Sequence, residues 1–372
     1  MKKVAFLISP VVGEFHGFRL DYLDPFPYFV NDWRGSLRDV ILNGFDGYDR
    51  RRLLFSAEGV DELYRSRHTA YMRFITDFID RYADYDVVVL GTYNPIHPEV
   101  LHNELRKPIK ILGFVDDPLS TYRWGVASLW AFDGAFYISP SYDERTLMRD
   151  ALANWGCRQS YWLPLTSPAN VSADVDESFF AARTRRLIYV GKSYGSKVDR
   201  LRELKIRFGD RFEVYGRWPL FGYSGLLRAL NGGKPFWHRV RSLSDSERRE
   251  RYLQTQIGFN MHISGRPMET GNMRMYETTL HGMMLLCDKG GRNAHATIFE
   301  PDREAVFYDS LPDAIDKAEY YLAHPNECID IAWNGFRRAH RDYNWERNFT
   351  AFLTWASSLK RHGARQLRAE RS

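Results

Sequence analysis

The sequence predicts an α/β protein built on two parallel β-sheets, and three observations support this prediction. Short apolar runs alternate with longer segments of helical periodicity along the whole chain. The runs are apolar throughout, which is typical of strands buried on both faces of a parallel sheet. A polar segment at 166–186 divides the runs into two sets. At 372 residues, the chain also has the length of two domains.

Nine runs are predicted as strands, because they are rich in β-branched or aromatic residues and are bounded by Gly, Asp or Pro. They lie at 4–9, 86–92, 109–115, 134–139, 187–192, 212–216, 257–262, 283–288 and 305–309. Apolar residues three or four apart predict helices over 62–83 and near 345–360. We therefore expect Rossmann-like domains at 1–170 and 186–345. Residues 346–372 are expected to form a helix that packs back toward the first domain, followed by a basic tail.

Composition excludes several classes of protein. The net charge of +5 is small and the charges are mixed, which disfavours nucleic-acid binding. Cys157, Cys287 and Cys328 are far apart, so no disulfide framework or zinc spacing follows from them, and a reducing compartment fits. No apolar run approaches the ~18 residues of a membrane span. We expect a cytoplasmic protein. The basic tail 360–371 is either a solvated end or a weak peripheral contact with anionic lipid.

The first motif is the loop GKSYGSK, Gly191 to Lys197, between a predicted strand and a predicted helix. A glycine loop followed by a helix presents backbone N–H groups and a helix dipole to an anion. Lys192 and Lys197 add positive charge beside that loop. These residues could therefore bind a diphosphate. The alternative is an ordinary strand–helix turn with solvated lysines.

The second motif, SGRPMETGNMRMYETTLHG, ends at Gly282 and separates two predicted strands. Asn272 is a predicted N-cap and Gly282 a predicted helix stop. Arg274 then lies in the first turn, where a cation opposes the helix dipole unless an anion docks beside it. Glu277 lies one turn further and can accept hydrogen bonds from a ribose diol at the same end. The alternative is a surface pair between Arg274 and Glu277.

The stretch NMRMYETTLHGMMLLCDKGG, followed by FEPDREAVFYDS, YYLAHPNE and IAWNGFRRAHRDYNWERN, resembles the donor domain of the CgeB-like glycosyltransferases. These belong to the group-1 glycosyltransferases of GT-B fold. The resemblance covers about 187–350 and continues more loosely in the first half through GFVDDPLSTY, FDGAFYISPS and YWLPL. It implies two Rossmann-like domains that face a cleft, and sugar transfer from a nucleotide-diphosphate sugar without a metal ion.

The resemblance also implies roles for single residues. Glu277 falls where the family binds the donor ribose, and Asn272, Met273 and Arg274 fall in the loop that faces the diphosphate. Lys192 and Lys197 fall near the basic pair on the phosphates, although that pair usually begins with Arg.

A further carboxylate is implicated by the same resemblance. Glu269 and Glu277 have seven residues between them, as in the Glu-x7-Glu pattern of retaining enzymes. Glu269 is therefore a candidate sugar contact, and retention is weakly favoured. The residues between the two do not match the usual Gly-Phe-Gly filling.

Two loops of the first half hold candidate acceptor-side residues. Asp116 and Asp117 follow the strand 109–115, and acceptor binding or base chemistry, turn formation and metal binding all stay open for them. His16, in the loop 13–18, is a candidate general base or an incidental loop residue. Because both loops follow predicted parallel strands, we expect them at the same edge of the first sheet. His262 and His281 are interpreted as structural, and we expect no metal.

Together these features predict a cytoplasmic glycosyltransferase of hexosyltransferase type, acting in surface polysaccharide, glycolipid or glycoprotein assembly. The expected partners are a nucleotide-sugar donor and a saccharide, lipid-linked or protein acceptor, with no cofactor and no nucleic acid. Basic residues and helix N-termini would stabilise the departing diphosphate. Two alternatives remain: a sugar-nucleotide epimerase on the same scaffold, and a non-catalytic sugar-nucleotide- or glycan-binding protein.

Overall fold

The structure is a computed structural model. It describes residues 1–8, 11–24, 28, 68–92, 94, 96–115, 125–157, 159–166, 171–191, 196–216, 240–262 and 270–360. The described residues form two compact units. Of the described residues, those up to 164 and from 347 to 360 belong to unit 1, and those in 165–262 and 270–346 belong to unit 2.

Unit 1 is built on a seven-stranded sheet of order β2-β3-β1-β4-β5-β6-β7. Its strands are β1 (Lys2–Phe6), β2 (Gly13–Phe15), β3 (Phe18–Asp21), β4 (Val87–Gly91), β5 (Ile109–Phe114), β6 (Gly134–Tyr137) and β7 (Ser160–Trp162). All neighbouring strands are parallel except β2 and β3, which form an antiparallel hairpin. Its helices before the chain enters unit 2 include α1 (His68–Tyr82), α2 (Pro98–Asn103) and α3 (Met148–Asn154).

Unit 2 is built on a five-stranded sheet of order β12-β11-β10-β8-β9, in which every neighbouring pair is parallel. Its strands are β8 (Thr184–Val190), β9 (Phe212–Tyr215), β10 (Thr255–Asn260), β11 (Met284–Asp288) and β12 (Val306–Tyr308). Its helices include α4 (Glu177–Ala181), α5 (Ser196–Phe208), α6 (Asp245–Gln254), α7 (Met273–Leu280), α8 (Leu311–Ala323) and α9 (Pro325–Asp342). The chain moves outward from β8 to β9 and then returns to place β10 on the other side of β8. This reversal marks a topological switch point, where open α/β sheets bind ligands at the carboxyl ends of their strands.

The last described helix, α10 (Trp345–Ser358), packs on the sheet of unit 1. The Phe349 ring lies 5.2 Å from the ring of Phe6, and the Phe352 ring lies 4.8 Å from that of Phe136. Phe352 is fully buried there. The chain therefore leaves unit 1, builds the whole of unit 2 and then returns to complete the core of unit 1.

All nine predicted strands are present, with ends displaced by no more than three residues, and the predicted α/β class is confirmed. The hairpin β2–β3 was not predicted. Its strands are only three and four residues long and partly exposed, so they lack the apolar runs that reveal the other strands. No helix among the described residues combines the length and apolarity needed to cross a membrane.

Candidate functional site

The ends of β8 and β9 approach each other closely at the carboxyl edge of unit 2. The Gly191 N–H donates to the Tyr215 carbonyl at 3.0 Å, and the Gly216 N–H donates to the Arg241 carbonyl at 2.9 Å. A Cβ on Gly216 would lie 1.9 Å from the Gly191 carbonyl oxygen, and Gly216 has a φ of +146°. Only glycine permits this approach. The backbone at Gly191 and Gly216 therefore determines the shape of the carboxyl edge beside the switch point.

Helix α7 is capped at both ends by the residues predicted from the sequence. The Asn272 side-chain oxygen accepts the Arg274 N–H at 3.1 Å, which confirms the N-cap. Gly282 has a φ of +75° and donates its N–H to the Thr279 carbonyl, while the Met283 N–H donates to the Thr278 carbonyl. This pair of bonds is a Schellman motif and confirms the helix stop. The eight-residue helix is thus fixed at each terminus.

Arg274 reaches from α7 across to the end of β8. Its guanidinium lies over the Tyr189 ring, with Cζ 5.5 Å from the ring centroid. A Cβ on Gly191 would lie 2.8 Å from that same Cζ. Gly191 therefore leaves the space that the guanidinium occupies. The two sides of the switch point, β8 and the β10–α7 connection, are brought together at this cation.

Glu277 is buried, with 4% of its surface exposed, so it is not part of a surface ion pair. Its carboxylate oxygen lies 3.7 Å from Nη2 of Arg248 on α6. Tyr252, on the same helix, hydrogen-bonds to Glu277, and burial together with the Glu277 charge raises the Tyr252 pKa. Arg248 and Tyr252 were not singled out from the sequence. The capping box of α6, Ser244 and Glu247, was readable there, but the face that meets Glu277 was not.

The other predicted site residues differ in burial and in whether the structure describes them. Lys197 lies in the first turn of α5 and is 4% exposed, which is rare for a lysine. Met273, the first residue of α7, is 38% exposed. Lys192, Glu269, Asp116 and Asp117 lie outside the described residues.

His16 lies at the tip of the β2–β3 hairpin, and the expectation for its position is wrong. His16 and Gly17 have φ values of +43° and +86°, as a two-residue hairpin turn requires. The register pairs Phe18 with Lys2, so the tip lies at the amino edge of the parallel strands. β5 runs parallel to β4 and β1 and ends at the carboxyl edge. Because the hairpin reverses the chain before β3, His16 lies at the edge opposite to the end of β5.

Beneath α7 lies a cluster of His262, Cys287, Asp288 and His295, of which all but the partly buried Asp288 are buried. One potential ligand atom from each residue lies within 4.8 Å of the others. His262 follows β10, Cys287 and Asp288 end β11, and His295 lies in the 3₁₀ helix Gly291–Thr297. The four residues are spread over 34 positions of sequence and show no metal-ligand spacing, so only the fold brings them together.

Residues 197–354 match the protein family described as glycosyl transferase-like, a range that contains α7 and its surroundings. A search of curated protein sequences finds no match. The N-terminal domain of trehalose-6-phosphate phosphatase from Candida albicans is similar in structure, with a TM-score of 0.60 and 9% identity over 96% of each chain. Anabaena Alr3699/HepE in complex with UDP and glucose has a TM-score of 0.56 at 11% identity, over 96% of this chain and 100% of that one.

An alpha-glucosyltransferase in complex with UDP-glucose and DNA containing an abasic site has a TM-score of 0.53 at 10% identity. That match covers 76% of this chain and 83% of the other. The fold is GT-B. At these identities the likeness extends to the GT-B fold alone, and it confirms the fold that the sequence predicted. The functional roles within it depend on the residues of this chain.

Proposed function

We propose that this protein is a glycosyltransferase that moves a sugar from a nucleotide-diphosphate sugar to a hydroxyl acceptor, with the donor held by unit 2. The observation that carries the proposal is the convergence of Gly191, the N-terminus of α7 and the Arg274 guanidinium at the switch point. A diphosphate needs positive charge, and the positive end of the α7 dipole beside an arginine offers it. The glycosyl transferase-like match over 197–354 and the GT-B fold support the same class of reaction.

The proposed chemistry is electrostatic. Transfer breaks the bond between the sugar anomeric carbon and a phosphate oxygen, and the electron pair stays on the departing diphosphate. Arg274, Lys197 and the α7 dipole would stabilise that charge, with Lys192 and Met273 beside it. The acceptor hydroxyl oxygen forms the new bond to the anomeric carbon, and its proton passes to the departing diphosphate or to solvent. We propose that no metal ion takes part, since side-chain and helix charges serve the leaving group.

Glu277 is proposed to bind the donor ribose. Its carboxylate lies 3.7 Å from Nη2 of Arg248, and a carboxylate accepts strong hydrogen bonds from a diol. The nucleotide is proposed to be uridine diphosphate and the sugar a hexose, by analogy with HepE, which is described in complex with UDP and glucose. Glu269 is retained as a proposed sugar contact, with weakly favoured retention.

The finer assignments are proposals that rest on the sequence resemblance. They are membership of the CgeB-like group, action in the cytoplasm on a saccharide, lipid-linked or protein acceptor, and a role in surface polysaccharide, glycolipid or glycoprotein assembly. Asp116 or Asp117 is proposed to orient the acceptor. The basic tail is proposed to make weak contact with anionic lipid.

The donor site is tested by titration with UDP and with other nucleoside diphosphates in a calorimeter. Glu277→Ala removes charge-assisted hydrogen bonds worth roughly 1.5–3 kcal/mol, so the affinity should fall about 10–100-fold. Glu250→Ala is the matched control, because it removes an exposed carboxylate of α6 that bonds only to Gln254 among the described contacts, and it should bind normally. Unchanged affinity in a folded Glu277→Ala protein would contradict the ribose assignment.

Catalysis is tested by incubating the protein with UDP-glucose and measuring free UDP. Slow release of UDP without acceptor is expected of a transferase, and it should survive EDTA. Binding without any release or transfer would instead indicate a non-catalytic nucleotide-sugar-binding protein. Complete loss in EDTA with recovery in Mn²⁺ or Mg²⁺ would show that a metal takes part.

A further inference from the structure

The cluster of His262, Cys287, Asp288 and His295 lies directly under the turn that begins α7. His262 is 4% exposed and His295 is fully buried. Buried polar atoms, the ring nitrogens of histidine among them, are in the large majority hydrogen-bonded. The partners of these two rings therefore reveal which nitrogen carries the proton.

Each ring accepts a backbone N–H of the turn before α7. The Asn272 N–H donates to Nε2 of His262 at 3.1 Å, and the Gly271 N–H donates to Nε2 of His295 at 3.3 Å. A backbone N–H can donate only to a nitrogen that bears no proton. Nε2 is therefore unprotonated in both histidines.

The other nitrogen of each ring faces oxygen. Nδ1 of His262 lies 2.9 Å from Oδ1 of Asp288, and Nδ1 of His295 lies 2.5 Å from the Asp288 carbonyl oxygen. Both oxygens accept, so both Nδ1 atoms carry the proton. All four ring nitrogens are thus satisfied by two neutral imidazoles whose centroids are 4.2 Å apart.

A metal ion would disrupt this arrangement. The Cys287 sulfur lies 3.8 and 3.9 Å from the two Nδ1 atoms, so the four side chains have the composition of a zinc site. A metal on Nδ1 would require a proton on Nε2, which would then face the N–H of Gly271 or Asn272. If His262 were an imidazolium paired with Asp288, its Nε2 would also carry a proton and would face the Asn272 N–H. Burial also raises the pKa of the Cys287 thiol well above its ordinary value, which keeps the proton on sulfur.

The turn held by these rings is the start of the proposed donor site. Asn272 is anchored twice, because its side-chain oxygen also accepts from Asn260 Nδ2 at 3.1 Å and its Nδ2 donates to Asn260 Oδ1 at 3.3 Å. The Arg274 N–H donates to the same Asn272 oxygen. The position of the Arg274 backbone therefore depends on Asn272, and the position of Asn272 depends on His262.

We propose that His262 and His295 are positioning residues for the donor site, acting as neutral Nδ1–H imidazoles that accept the N–H groups of Asn272 and Gly271. This inference rests on the proposed function. The inference also gives Asn272 a structural role in place of direct phosphate contact, since the side chain and the N–H of Asn272 are both used within the protein. The histidines touch no substrate, and they act through the turn from which Arg274 and Glu277 project.

The first experiment compares His262→Gln with His262→Leu by UDP titration of the full chain. A glutamine side-chain oxygen can reach the place of Nε2 and accept the Asn272 N–H, whereas leucine cannot. Leucine should weaken UDP binding about tenfold or more, and glutamine should stay within about threefold of wild type. His340→Leu is the control: its ring bonds to the Leu280 carbonyl at the opposite end of α7, and it should bind UDP normally. Equal affinity of folded Gln and Leu variants would overturn the proposal.

The second experiment does not depend on donor binding. The ¹⁵N chemical shifts of the histidine ring nitrogens should show protonated Nδ1 and bare Nε2 for His262 and His295, with signals assigned by their loss in glutamine variants. Metal analysis of the purified chain should find no stoichiometric zinc. Protonated Nε2, or one equivalent of zinc that is lost in Cys287→Ser, would overturn the proposal. If wild type binds no nucleoside diphosphate while the Nδ1–H tautomers are found, the proposed function fails but the hydrogen-bond assignment stands.

Discussion

Arg183 offers the sharpest test of how unit 2 is held together. Its side chain is buried, with 7% of the residue exposed, and among the described residues it pairs with no carboxylate. Nη1 donates to the carbonyls of Tyr252 and Thr255 at 2.8 and 3.0 Å, and Nη2 donates to the His281 carbonyl. These carbonyls lie at the carboxyl ends of α6 and α7, where the helix dipoles are negative. Two helix ends thus serve as the counter-charge.

The contribution of Arg183 to the free energy of unfolding follows from two opposing effects. Burial lowers the Arg183 pKa to about 10, against an ordinary 12.5. That lowering corresponds to a cost of about 3 kcal/mol for the charged form. Three charge-assisted hydrogen bonds, at roughly 1.5–3 kcal/mol each, outweigh this cost. We therefore expect Arg183→Met to lower the free energy of unfolding by about 3 kcal/mol.

The assay is calorimetric unfolding of the full chain, in which the transition of unit 2 should fall by roughly 6–12 °C. Arg186→Met is the matched control, because it removes an arginine three residues further along, in β8, whose ion pair with Glu213 is partly exposed. That variant should lose less than about 1 kcal/mol. If the two variants unfold at the same temperature, the helix ends do not stabilise the buried cation as argued.

Three further predictions follow from single residues. Burial lowers the His281 pKa from 6.5 to about 4, so the free energy of unfolding should fall by about 3 kcal/mol as pH drops from 6.5 to 4. His281→Gln should flatten that part of the dependence of stability on pH, measured by urea unfolding. Gly216→Ala should destabilise unit 2 by about 2–4 kcal/mol in the same assay, because its Cβ would meet the Gly191 carbonyl; a change below about 0.5 kcal/mol would contradict that. His16→Asn keeps a residue that tolerates positive φ and removes the imidazole, so transfer should persist, and a 100-fold loss of turnover would instead support general-base catalysis.

The sequence was sufficient for the parts of the fold that depend on local pattern. Strands buried on both faces appear as apolar runs, and caps such as Asn272 and Gly282 depend on backbone geometry within a few residues. The β2–β3 hairpin was not predicted because its strands are short and half exposed. The turn signal in His16-Gly17 was present, but it carries weight only between recognisable strands.

The site could be predicted only along one stretch of chain. Arg274 and Glu277 lie in a single motif, so their placement near one helix end followed from helix periodicity. Arg248 meets Glu277 only because α6 packs beside α7. Arg183 and the His262–His295 network depend likewise on tertiary contacts between distant segments. No spacing rule connects such residues before the strand order is known.

The return of the chain to unit 1 through α10 has a consequence for synthesis on the ribosome. The sheet of unit 1 emerges first, but the helix that covers Phe6 and Phe136 is translated only after about 180 further residues. At ~5–20 residues per second this delay lasts roughly 10–40 s. Unit 2 can complete its own core during that interval, while the sheet of unit 1 keeps the apolar face that α10 will cover exposed to solvent. The nascent chain should therefore recruit chaperones early and release them only when α10 leaves the exit tunnel.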